Sequence, residues 1–118
     1  MSLQLSTELG KVFIADEVIS SLAGHAALEC YGLVGMASRK QLKDGIFELL
    51  GRENLSKGIT VRQEDGKIGL DLHIVVGYGT KISEVAHNIQ SKVRFVLRDV
   101  SGLEVDCVNI IVQGVRVQ

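Results

Sequence analysis

The chain has 118 residues, 13 basic and 14 acidic, for a net charge of −1; that is enough length for one domain with a core, without the basic field that phosphate backbones require. Apolar residues make up 46%, which excludes a disordered chain, and aromatics only 4% with no Trp, so the core must be built from Val, Ile, Leu and Ala. No apolar run reaches the roughly 18 residues of a membrane span, and MSLQLSTELGKV lacks the charged start and apolar stretch of a secretory signal.

In chain order, GKVFIA (Gly10 to Ala15) reads as a strand with Val12 and Ile14 on one face. Asp16 is placed to cap the helix that follows, in which Val18, Ile19, Leu22, Ala23, Ala26 and Ala27 recur at helical spacing up to a stop near Gly32. Gly24 and the alanines make this helix thin, so it can approach a sheet closely. LVGMA, Leu33 to Ala37, predicts a second short strand. Leu42, Ile46, Leu49 and Leu50 then form one helical stripe, weakened by Gly45 and stopped at Gly51.

Asp65-Gly66 is the strongest local signal. The pair supports the positive φ angles of a two-residue hairpin turn, and it lies between GITVRQE and KIGLDLHIVVGYG. Ile68, Leu70, Leu72, Ile74 and Val76 alternate with Gly69, Asp71, His73 and Val75, so the first set should face the core and Asp71 and His73 should face water. Thr80 is placed to cap a second long helix. Its apolar stripe runs through Ile82, Val85, Ala86, Ile89, Val93, Val96, Leu97 and Val100, with Lys81, Glu84, Gln90, Ser91, Arg94 and Arg98 off it and Gly102 as the stop. The last strand carries Val108, Ile110 and Val112 on one face.

The expected order is therefore β-α-β-α-β-β-α-β in one domain, residues 1–118. This is an α+β two-layer sandwich, a mixed sheet with helices packed on one face and a right-handed final crossover.

Candidate chemistry is sparse. Gly77, Gly79, Thr80 and Lys81 form a glycine turn ahead of a helix, an arrangement that can hold an anion on free amides. Neither GxGxxG nor a phosphate loop surrounds it, and the same glycines serve simply to leave the strand. Glu84 and His87 have the ExxH spacing of di-metal sites, which need a second copy that the sequence lacks. His25 and Glu29 read as a helix-surface pair. Ser83 shares a helix face with His87, without a nucleophile elbow. GLVG, Gly32 to Gly35, matches the GxxG of an RNA-gripping loop, but Leu33-Val34 between the glycines read as strand. Arg39, Lys40 and Lys43 form the one basic cluster, a contact for an acidic partner or a solvated loop. Cys30 and Cys107 stand far apart without CxxC spacing and read as reduced thiols, with a disulfide or metal site as the alternative. No catalytic residue, metal ligand or cofactor is assigned, and these features together predict a cytoplasmic protein.

Three blocks, GKVFIADEVISSLAGHAALECYGLVGM, VVGYGTKISEVAHNIQSKVRFVL and GLEVDCVNIIVQGVRV, resemble the alkaline shock protein family of Gram-positive bacteria. ENLSKGITV further resembles its small, tail-less branch. Where many relatives place a Pro early in the last helix, Ser83 stands here. The resemblance implies a non-enzymatic cytoplasmic interaction or scaffold protein tied to cell-envelope stress, with protein partners, one of them a membrane-anchored tether, and no insertion of its own. Self-association is expected along the last strand near Val115 and Val117. Two alternatives are a small-ligand sensor or accessory subunit for a lipid-related metabolic enzyme and, behind it, RNA binding; no nucleic-acid partner is expected.

Overall fold

A computed structural model describes residues 2–39 and 49–117. The elements are strands β1 (Ser2–Thr7) and β2 (Gly10–Ala15), helix α1 (Asp16–Leu28), β3 (Leu33–Met36), a 3-10 helix (Arg52–Gly58), β4 (Ile59–Glu64), β5 (Lys67–Gly77), α2 (Ile82–Ser101) and β6 (Cys107–Arg116). The fold is α+β with a mixed sheet, as expected. The predicted helical stripe begins outside the described residues at Leu42 and Ile46, and Leu49 forms an antiparallel bridge with Ala37 instead of a helical turn.

β5 organises the sheet. It turns back on β4 through Asp65 and Gly66, whose φ angles of 51° and 77° are those the Asp-Gly pair supports. β4 and β3 pair antiparallel with β5, against different stretches of it, while β6 runs parallel to it from Gly69↔Cys107 to Gly77↔Arg116. A β-bulge interrupts the β5–β6 ladder where Ile74↔Val112 gives way to Val75↔Gly114.

Both helices cover the sheet face that carries Leu70, Leu72, Ile74 and Val76, all fully buried. α1 adds Ile19, Ala23, Ala26 and Ala27, and α2 adds Val85, Ile89, Val93 and Leu97. The thinness of α1 at Gly24, expected against the sheet, is used first against the 3-10 helix: a Cβ there would lie 2.9 Å from Leu55 Cβ and 3.4 Å from Ile59 Cδ1 of β4. α2 ends where expected, on Gly102 in the left-handed conformation (φ 79°), with its amide donating to the Arg98 carbonyl.

Four local expectations are corrected. Gly10–Ala15 is not in the mixed sheet; it pairs with Ser2–Thr7 in a hairpin of its own. Asp16 is not a cap: Ala15 holds that position with no side-chain hydrogen bond, and Asp16 stands in the first turn, where its charge suits the helix dipole. Thr80 does not cap α2 either. Its hydroxyl donates back to the Gly77 carbonyl at 2.7 Å, and Lys81 takes the cap position. Within the described residues α1 stops at Leu28, four positions before Gly32, because the chain must turn at Glu29–Gly32 to enter β3.

Candidate functional site

β6 lies on the outside of the sheet. It pairs with β5 along one side, and among the described residues no strand pairs with the other. At the start of β6, beside Cys107, Val108 and Asn109, lies an open groove of about 640 Å³, walled by the flank of α2 and the loop that leads into the strand. The amphipathic period of α2 builds its wall. With Val85, Ile89, Val93 and Leu97 turned into the core, His87, Gln90, Ser91, Arg94, Phe95 and Arg98 fall on the adjoining flank. Buried Leu103 and Val105 line the groove beside Glu104 and exposed Cys107.

Gln90 ties wall to edge: its Nε2 donates to the Val108 carbonyl at 2.9 Å. Asp106 fixes the start of β6, accepting from the Ile68 amide at 2.7 Å on Oδ2 while its own amide donates to the Ile68 carbonyl at 2.8 Å. Phe95 is 53% exposed in the wall. Sequence reasoning placed Arg94 and Arg98 merely off the apolar stripe. Their signal was the four-residue spacing around an aromatic, on the helix that leads into the edge strand.

The face of the sheet away from the helices carries a polar network. Arg62 grips Asp71 through Nε–Oδ2 at 3.0 Å and Nη2–Oδ1 at 2.9 Å, and Asn109 Nδ2 donates to the same Oδ1 at 2.8 Å. His73 Nδ1 lies 2.7 Å from Gln113 Nε2. Asp71 and His73 were expected in water; they are on the expected face but half-buried and bonded. Burial opposes the Asp71 charge, yet the hydrogen bonds from Asn109 and Arg62 and the Arg62 charge outweigh it, so the carboxyl sits below its ordinary pKa. Burial holds His73 below its ordinary value, helped by Arg39 and opposed by Asp71.

Gly77, Gly79, Thr80 and Lys81 occupy the β5–α2 turn. Thr80 is engaged by Gly77, Lys81 lies 3.8 Å from Glu84, and the turn is braced on the α1–β3 loop by the Gly77 amide donating to the Gly32 carbonyl at 2.9 Å. A recess of about 400 Å³ between the two loops includes Cys30, Tyr31, Tyr78 and Val117, with both tyrosines largely exposed. Burial raises the Cys30 thiol pKa, against the opposing charge of Lys92. Of the basic cluster, Arg39 donates to the Lys57 carbonyl at 3.1 Å and to Thr60 Oγ1 at 3.4 Å, while Lys40 and Lys43 lie outside the described residues. Glu29 meets Lys92 at 3.8 Å and not His25. Among the described residues no three His, Cys, Asp or Glu side chains converge on one point, and no helix is long and apolar enough to cross a membrane.

The family model that matches residues 4–117 describes the alkaline shock protein 23 family, with a cell envelope-related function. Uncharacterized protein YloU of Bacillus subtilis (strain 168) is 56% identical over 117 residues, 99% of this chain and 98% of that one. Uncharacterized protein Spy1614 of Streptococcus pyogenes serotype M6 is 42% identical, covering 99% of this chain and 97% of its own. Uncharacterized protein YqhY of Bacillus subtilis (strain 168) is 37% identical over 110 residues, 93% of this chain and 80% of its own. No solved structure matches the chain.

Proposed function

The chain belongs to the alkaline shock protein 23 family, whose function is cell envelope-related, and from that premise we propose that it works by binding other proteins rather than by turning over a substrate. The reading is that of a cytoplasmic scaffold in envelope homeostasis, reaching the membrane through an anchored partner. The observation that carries it is the ten-residue strand β6, paired on one side only among the described residues. Long unpaired edges present a row of backbone donors and acceptors that invites another strand. Exposed apolar side chains cluster at its far end: Val115 at 49% and Val117 at 83%, beside Tyr31 and Tyr78. That end is the proposed site of self-association.

Two measurements test this reading. Light scattering over a range of concentrations should show a dimer or larger species, which Val115→Lys with Val117→Lys reduces to monomer. Cross-linking in the native bacterium should capture a discrete set of envelope-related proteins. A strictly monomeric protein that captures none would end the scaffold reading. The sensor alternative retains one specific feature, the recess between Tyr31 and Tyr78 beside the Gly77–Lys81 turn. Phosphate or an acyl phosphate that leaves the amide shifts of this turn unmoved would dispose of it.

A further inference from the structure

The groove beside the start of β6 has a composition that selects its occupant. Arg94 and Arg98 stand one helical turn apart on its wall, and neither has an ion-pair partner among the described residues. Glu104 is the single acidic group lining it among the described residues, so this lining carries net positive charge in a chain whose total is −1. Exposed Phe95 lies between the two arginines in sequence.

The β6 edge that continues past the groove, from Val108 on, has a definite phase. Val108 offers its carbonyl to Gln90, away from β5. Backbone groups alternate sides along a strand, so Ile110 and Val112 also turn theirs to the open side, as far as the bulge at Gln113. Beyond the bulge the phase reverses, and the Arg116 carbonyl accepts from the Tyr78 amide at 2.8 Å.

We propose that an acidic, extended segment of a partner protein lies in this groove with its carboxylates on Arg94 and Arg98 and continues past Val108 as a further strand on β6. The inference rests on the protein-binding reading and names the chemistry of the partner. Spacing supports it. Four helical residues rise about 6 Å, and same-face side chains on a strand repeat at about 6.6 Å, so acidic residues at alternate positions of the added strand meet successive arginines. Arginine forks suit carboxylates, and only a polypeptide supplies the amides and carbonyls that Ile110 and Val112 lack. A second copy is disfavoured here: pairing two β6 edges about a twofold axis would set the arginine-bearing flanks of both α2 helices against each other.

The test uses the whole chain and a short synthetic peptide of Glu alternating with Val and Thr. Hydrogen exchange read by NMR should show the Ile110 and Val112 amides slowed about tenfold at saturation. Arg94→Glu with Arg98→Glu should weaken binding by at least about tenfold, with Arg94→Gln and Arg98→Gln intermediate, at unchanged thermal midpoint. No binding at millimolar peptide, equal binding of a Lys-for-Glu peptide, or full affinity in the doubly reversed variant would overturn the proposal. So would an oligouridylate that binds through the same arginines without protecting those amides, which would assign the groove to nucleic acid. Slowed exchange that grows with protein concentration in the absence of peptide would assign it to a second copy. Cross-linking in the native bacterium separates the two levels. Capture of the same partners by the doubly reversed variant overturns the groove and leaves the scaffold reading standing, whereas an unaltered protein that is strictly monomeric and captures nothing removes that reading.

Discussion

Arg62 and Asp71 lock across the β4–β5 hairpin on a diagonal. Arg62 sits opposite Gly69, yet both ends of its fork reach the Asp71 carboxylate two residues further along, at 3.0 and 2.9 Å. Gly69 leaves room for this: a Cβ there would lie 3.4 Å from Arg62 Nη2 and 3.0 Å from Cys107 Sγ. Asn109 adds a third donor from the parallel strand, so one carboxylate joins β4, β5 and β6.

That geometry makes Asp71 a reporter. Burial pulls its pKa up, and the Asn109 and Arg62 contacts more than reverse this. Arg62→Ala should therefore raise the Asp71 pKa, as should Asn109→Ala, each followed by NMR titration of the carboxyl. The contribution of the ionised group to stability is present above the ordinary aspartate value of about 3.9 and is lost as pH falls through the lowered folded value. Acid unfolding should accordingly begin at higher pH in Arg62→Ala. A carboxyl that titrates identically in all three proteins would refute the network.

His73 predicts a second pH effect. Gln113 donates Nε2 to a ring nitrogen that must be unprotonated to accept. Burial, with Arg39 in support and Asp71 in opposition, keeps the folded pKa below the ordinary histidine value. A lowered pKa means that the unfolded chain takes up the proton first. Stability from this residue is thus complete above about pH 6.5 and declines as pH falls through the folded value. His73→Asn should flatten the fall of thermal midpoint between neutral and mildly acid pH. An undiminished fall in that variant would place the effect elsewhere.

The half of the fold that was legible is the half with strong periods. Strict alternation in Ile68 to Val76, an Asp-Gly turn and the uninterrupted stripe from Val85 to Leu97 each exclude other local structures, and β5, α2 and β6 follow them. β1 was overlooked although Leu3 and Leu5 alternate with polar neighbours, because Glu8-Leu9 carries no glycine or asparagine to announce a turn. The caps failed for a related reason. Asp16 and Thr80 are good capping types, but hydrogen bonding is decided by where the chain enters the helix, one residue earlier for the first and one later for the second. The groove was least legible of all. Arg94, Arg98 and Gln90 look like ordinary solvated helix positions until the parallel crossover brings β6 alongside them.

Two glycines with nearly equal backbone angles should respond differently to Ala. Gly32 has φ 90° and Gly79 φ 89°. At Gly79 an added Cβ meets nothing within 4 Å, leaving only the left-handed backbone penalty of about 1–2 kcal/mol. At Gly32 it would lie 2.6 Å from Val85 Cγ2, and Val85 is part of the core. Gly32→Ala should cost clearly more, at least about 3 kcal/mol, and should loosen the Gly77–Gly32 bond that braces the two loops. Equal losses in urea unfolding would mean that the loops separate freely.

The β1–β2 hairpin tests how the mixed sheet and the amino-terminal arm depend on each other. Its inward face carries Leu3 opposite Ile14 and Leu5 opposite Val12. Leu3 is 1% exposed, Leu5 and Ile14 are half-buried, Val12 is 46% exposed and Leu9 at the turn fully so, and the face therefore leaves the core as it approaches its tip. An isolated two-stranded hairpin is marginal in water, so the contacts at its base must hold it. Leu3→Ala should cost about 2–4 kcal/mol of global stability, while Leu9→Ser and Phe13→Ser, at exposed positions, should change it by no more than about 0.5 kcal/mol. If the hairpin is instead a separately melting unit, Leu3→Ala will leave the main unfolding transition in place and speed amide exchange in β1 and β2 alone. Calorimetry combined with hydrogen exchange tells these outcomes apart, and a single shifted transition is the expected one, because Leu3 packs in the same cluster as Ile19, Leu97 and Leu103.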